Sequence, residues 1–245
     1  MNRNSPERVI ALRASNTVED RVRELHLSIW NNRGEIFRGQ VPDDPVAMLE
    51  PGIALRTLGF EIETSADLGE TNDAGRVVAV AGNIDNKLKL VRISGRFTAQ
   101  EQRFTAAHEL GHAVLHPNMS GLHRDRVVSG PIARKERREI EADLFASRFL
   151  MPEKLLGRRL HQCFGSKQFV LSDDNLYGLG IPNVDGARRQ LSSSRDLSLM
   201  VARTTSFMGL SFDPLSKYFN VSPVAMAIRL EEFGFINEDS IRFIR

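Results

Sequence analysis

The sequence predicts an α+β fold, mostly helical, with one small β-sheet at its edge and a helix-turn-helix-like helical segment toward the C-terminus. Three observations carry this. Apolar residues recur at helical spacing in runs that open on cap signals, residues 60–93 hold the β-rich runs, and a helical pattern returns after Met208. A chain of 245 residues can bury a sizeable core, and 41% hydrophobic with 26% charged residues is the composition of a folded globular protein. A formal charge of +2 is too balanced for an obligatory polyanion binder, so any basic patch must be local. The lone Cys163 excludes an internal disulfide, and the stretch Met1–Ile10 lacks the apolar core of a secretory signal. With no run near the roughly 20 apolar residues of a membrane span, the expectation is a cytoplasmic chain with no membrane partner.

Asn16, followed three residues later by Glu19, reads as the N-cap of a first helix with Val18, Val22, Leu25 and Ile29 on one face. Asp44-Pro45 and Glu50-Pro51 mark two short helix starts, and Gly59 leads into a strand at Phe60–Thr64. Residues 76–81 and 87–93 read as a hairpin turning at Gly82–Asn86, with 87–93 as an exposed edge strand able to pair with an extended substrate. Thr98 and Glu101 form a capping-box pattern that opens a helix over Ala99 to about His116, stopped by Pro117. A further helix starts near Pro131 and ends at Met151-Pro152, where Pro152 opens another. The expected organisation is a main domain over 1–164, with 1–40 as its N-terminal helical segment. Residues 165–205, rich in Gly, Ser, Asp and Asn, follow as an inserted loop or lid, and 206–245 as the helix-turn-helix-like segment.

The chemistry concentrates in His108-Glu109-Leu110-Gly111-His112. Residues four apart lie on one helix face, so both imidazoles can grip one cation, and the motif sits inside an independently capped helix. A catalytic zinc takes three protein ligands and keeps an open position. His116 continues the spacing, but three imidazoles along one straight helix suit a tetrahedral ion poorly, so His116 reads as a cap or an outer support. The longer His-rich pattern fails, with Leu115 and Asn118 at its Gly and His positions. On the next helix Glu139 can supply the third ligand and Asp143, one turn on, can accept the second ring N–H of a ligand histidine. Glu141 points elsewhere, toward solvent or Arg137 or Arg138. Glu109 is the candidate general base. Tyr177, His161 and His123 are candidates for stabilising an oxyanion, with no spacing rule that ties them to the metal.

The run Arg103–Pro117, with Glu139–Ala146 and Leu150-Met151-Pro152, resembles the ImmA/IrrE family of zinc metallo-endopeptidases. The resemblance spans roughly residues 40–160 and returns at Leu215–Ile236. It implies a zincin-like metallopeptidase core holding one zinc ion per chain, with Glu139 at the ligand position of the family's E-x-x-A-N signature and Asp143 where Asn is usual. It further implies a cytoplasmic endopeptidase whose partner is a helix-turn-helix repressor, cleaved to induce stress-response or mobile-element genes. Two other classes compete. One is a DNA-binding regulator using Leu215–Gly234, with Arg124, Arg126, Arg134, Lys135, Arg137 and Arg138 on phosphates. It is the weaker, because its recognition helix offers one Arg and two carboxylates where DNA readers need several donors. The other is a silent metallopeptidase-like antitoxin or scaffold.

Overall fold

The computed structural model describes the backbone of residues 6–73, 76–118, 122–126, 136–181, 186, 191 and 193–237, and the side chains of these apart from 6–16, 73, 76 and 122–126. The chain divides into two compact units, Met1–Leu150 and Met151–Arg245. No helix among the described residues is long and apolar enough to cross a membrane.

In the first unit, α1 (Pro6–Asn31) begins ten residues before Asn16, so Asn16 lies inside the helix and does not cap it. The expected stripe is buried: Val18, Val22, Leu25 and Ile29 are all under 8% exposed. A four-residue helix, α2 (Arg33–Ile36), follows. Asp44 Oδ1 accepts the Val46 N–H and opens a 3₁₀ turn at Pro45–Met48, and Pro51 starts α3 (Pro51–Thr57).

Four strands come next: β1 (Glu61–Ser65), β2 (Glu70–Asp73), β3 (Arg76–Asp85) and β4 (Leu90–Ser94). They form one sheet in the order β1-β4-β3-β2, and β5 (Leu122–Arg126) also pairs with β3. The hairpin turns at Asn86–Lys89 and not at Gly82–Asn86, because Asp85 Oδ1 accepts the N–H groups of Lys87 and Leu88 and Lys89 adopts a φ of 53°. The expected edge strand is an interior one. β4 is paired on both sides, parallel to β1 and antiparallel to β3, and leaves no free backbone edge for a substrate.

Helix α4 (Ala99–Leu115) starts at the capping box, with Glu101 N–H donating to Thr98 Oγ1 and Thr98 N–H to Glu101 Oε2. It packs against the sheet, α3 and α5 (Arg137–Leu150). The expected start of the latter near Pro131 lies outside the described residues. α1 lies along α5, where Arg148 pairs with Glu19 at 2.9 Å and His26 Nε2–H donates to the Phe149 carbonyl at 3.1 Å.

Burial pushes the His26 imidazole down to about 4 from 6.5, opposed by that backbone hydrogen bond. A depressed histidine favours folding only while neutral. The unfolded chain takes up a proton first, so the contribution is complete above pH 6.5, falls as the pH drops toward 4, and totals up to about 3 kcal/mol. Unfolding midpoints measured from pH 7 to pH 4 should show this loss, and His26→Gln, which keeps a donor and cannot titrate, should flatten it.

The second unit opens with α6 (Glu153–Phe164), whose N-cap is Pro152. Among the described residues of the expected loop or lid at 165–205 lie the helices α7 (Asp173–Gly178) and α8 (Ser194–Arg203). Ser172 and Ser193 cap them, so the serines read as loop signals are helix starts. Met208 belongs to a small hairpin, Ser206–Phe207 with Leu210–Ser211, and helix resumes only at α9 (Leu215–Tyr218) and α10 (Pro223–Glu232). Phe164, Phe169, Phe207 and Phe212 pack edge to face in the core of this unit.

Candidate metal centre

Every residue from Thr105 to Ala113 is buried, so α4 is the central helix of its unit and its two imidazoles face neighbours instead of water. His108 and His112 sit one turn apart with their Nε2 atoms 3.0 Å from each other. Close approach of α5 completes the group. A Cβ on Gly111 would stand 3.1 Å from Ala142 Cα and from Phe145 Cβ, so glycine here, facing alanine, sets the two helices close. Glu139, in the first turn of α5, then reaches both rings, with Oε2 3.4 Å from His108 Nε2 and Oε1 3.5 Å from His112 Nε2.

One ligand atom from each of His108, His112 and Glu139 falls within 4.8 Å of the others. Two imidazole nitrogens and a carboxylate oxygen are a donor set for a divalent metal. The protonation pattern fits as well. His108 Nδ1 lies 2.9 Å from Asp143 Oδ1, and because a carboxylate only accepts, the ring proton sits on Nδ1 and the Nε2 lone pair points into the cluster.

Glu109 is fully buried. Its carboxylate lies against strand β3, where a Cβ on Gly82 would come 2.8 Å from Oε1. That neighbour was not legible in the sequence, since Gly82 reads as a turn residue and is a mid-strand one.

His116 ends α4 as its C-cap residue, and its ring stands beside His112 with centroids 5.6 Å apart. Its Nε2 is 3.5 Å from Glu141 Oε2, and burial holds the imidazole below its usual range while the Glu141 carboxylate opposes this. Glu141 is not solvent-facing: it accepts from Arg137 Nε at 2.8 Å and its side chain is 15% exposed. Tyr177 and His161 belong to the second unit, and the His123 side chain lies outside the described residues.

The DNA-binding reading finds little support in the second unit. The outward residues of α10 are Val224, Ile228 and Glu232, and its arginine, Arg229, is 2% exposed, donating to the Met151 carbonyl and to Glu232. Of the other basic residues proposed for phosphates, Arg137 is paired with Glu141. The side chains of Arg124, Arg126, Arg134 and Lys135 lie outside the described residues.

The chain is 27% identical over 115 residues to a protein of Bacillus phage phi105 called "Uncharacterized immunity region protein 2". The match covers 46% of this chain and 63% of that relative, so less than two thirds of the relative's length is represented. Residues 50–167 match the model of the IrrE N-terminal-like domain (Peptidase_M78), and this stretch contains both helices of the His108–His112–Glu139 cluster. Over that stretch the chain is similar to the ImmA/IrrE family of metallopeptidases.

Proposed function

We propose that this protein is a zinc-dependent endopeptidase of the cytoplasm that cuts a helix-turn-helix transcriptional repressor and so induces stress-response or mobile-element genes. One observation carries the reading: three donor atoms of the right chemistry converge within 4.8 Å, directly beside a fully buried glutamate in the chain. The match of residues 50–167 to a peptidase family model supports a protein substrate. The resemblance read from the sequence supports a repressor as that substrate, and so does a relative named for a phage immunity region.

In this reading His108, His112 and Glu139 hold one zinc ion. A zinc held there would polarise the scissile carbonyl and bring its water's pKa to about 7. Glu109 takes the proton of the attacking water and hands it to the departing amine, and its burial keeps bulk water from competing for that proton. Asp143 fixes the His108 tautomer and so keeps the Nε2 lone pair available. His116 supports the end of α4 from outside the ligand set.

Asp143→Ala is expected to weaken zinc binding by about 10–100-fold, the usual effect of removing such a partner. Asp143→Asn should recover most of it, because an amide oxygen also accepts from Nδ1–H. Competition with a chelating dye measures both.

The reading is tested by incubating the protein with the repressor encoded beside its gene, with and without a zinc chelator. Discrete fragments that disappear with chelator, from protein carrying about one zinc per chain, are expected. An intact repressor in the presence of fully loaded protein would refute the substrate assignment, and protein that purifies without metal and takes up none would refute the enzyme.

A further inference from the structure

Strand β3 passes α4 at Gly82 with no room for a side chain. A Cβ there would stand 2.5 Å from Thr105 Cγ2, 2.8 Å from Glu109 Oε1 and 3.4 Å from the Arg92 carbonyl. The strand is held from both sides, with Gly82 in register with Ile93 of β4 and Asp125 of β5, although the β5 register shifts between Val80 and Gly82. Thr105 cannot give way easily either. Its Cγ2 sits on a short side chain rooted on the α4 backbone and can leave only by a full change of χ1 between staggered wells. Glu109 differs, since its carboxylate is the far end of a flexible side chain.

We propose that Gly82 is a positioning residue for Glu109: by lacking a side chain, it reserves the space in which the glutamate's carboxylate stands, and Thr105 is the fixed wall of that space. The proposal rests on the peptidase reading, in which Glu109 carries the proton. A methyl group at position 82 must clear both Thr105 Cγ2 at 2.5 Å and Glu109 Oε1 at 2.8 Å, and with Cγ2 held on a short side chain it is crowded toward the carboxylate, the end of the longer and more flexible one. The three nearest atoms belong to Thr105, Glu109 and Arg92, so His108, His112 and Glu139 are not the first to move. The defect therefore falls on proton transfer and leaves the metal ligands in place. Displacing a reacting group by about 1 Å can cost about 10²-fold in rate.

The test uses the full chain with Gly82→Ala, assayed on the neighbouring repressor and, separately, loaded with Co²⁺ and titrated with acetohydroxamate, whose acidic proton the glutamate would accept. Expected is a fall in kcat of about 10²-fold with KM and zinc content unchanged, and a loss of hydroxamate affinity, read from the cobalt absorption bands, matching that of Glu109→Gln. Adding Thr105→Ser removes Cγ2 and lets the new methyl lean away from Oε1. Measured against its Thr105→Ser parent, the double variant should regain most of both losses. Wild-type kcat and hydroxamate affinity in Gly82→Ala would overturn the proposal. So would a loss that Thr105→Ser does not relieve, or a variant that fails to fold, since either would put the burden of the methyl on the backbone and not on the carboxylate. If the wild-type protein cuts no repressor, the peptidase reading fails on that arm alone, and the cobalt arm still decides the role of Gly82.

Discussion

Glu109→Gln is expected to lower kcat/KM on the repressor by about 10²–10⁴-fold while zinc content and fold stay intact. The amide has nearly the shape of the carboxylate and occupies the same buried volume, so neither the His108–His112 pair nor the packing on β3 is disturbed. What it lacks is basicity. It cannot take a proton from water, and it has none to deliver to an amine. A swap that conserves buried volume leaves no cavity, so Tm should stay close to that of the wild type while activity falls. Single-turnover cleavage, metal analysis and a melting curve on one preparation check the three parts together. A variant that keeps a tenth of wild-type activity with zinc bound would remove Glu109 from the proton-transfer role. The silent-scaffold reading makes a different forecast: wild-type and variant proteins would be equally inert and equally loaded.

The legible parts of the molecule are those where a local pattern has one physical outcome. Thr98 and Glu101 satisfy each other's backbone across the first turn of α4, and no tertiary contact is needed to read that start. His108 and His112 share a face by helix geometry alone. Glu139 and Asp143 are one turn apart for the same reason, and the structure brings Glu139 to both rings and Asp143 to one of them.

The errors fall where the outcome depends on what a segment packs against. Lys87–Ile93 has the composition of a strand, but composition does not say whether one or two neighbours will pair with it, and β1, distant in sequence, covers the side that was expected to be free. The Gly82–Asn86 cluster looks like a turn because Gly and Asn favour turns. Here the glycine answers to the crowding of Thr105 and Glu109, and β3 runs on through it to Asp85. Asn16 offers a cap that the chain does not use, since α1 is already under way from Pro6. The Ser- and Asp-rich stretch at 165–205 was ambiguous in kind, because the same residues terminate loops and cap helices, and Ser172 and Ser193 do the latter.

Glu139→Ala should cost more zinc affinity than any change outside the ligand set, beyond the 10–100-fold or so expected for a supporting residue such as Asp143. With Glu139 gone, two imidazoles remain at 3.0 Å and no carboxylate is left among the ligands. The side chain is 20% exposed, so water can enter the gap and a weak two-histidine site can persist, but not one that survives a chelator. Glu139→Asp should rescue little, because a shorter carboxylate held on the same α5 backbone falls back from both rings. The informative control is two residues away. Glu141 is another carboxylate of the same helix, turned instead to Arg137 and His116, and Glu141→Ala should leave zinc bound. Dialysis against a competing chelator followed by metal analysis compares the four proteins directly. Equal losses in Glu139→Ala and Glu141→Ala would mean that the acidity of α5, and not the placement of one side chain, holds the ion.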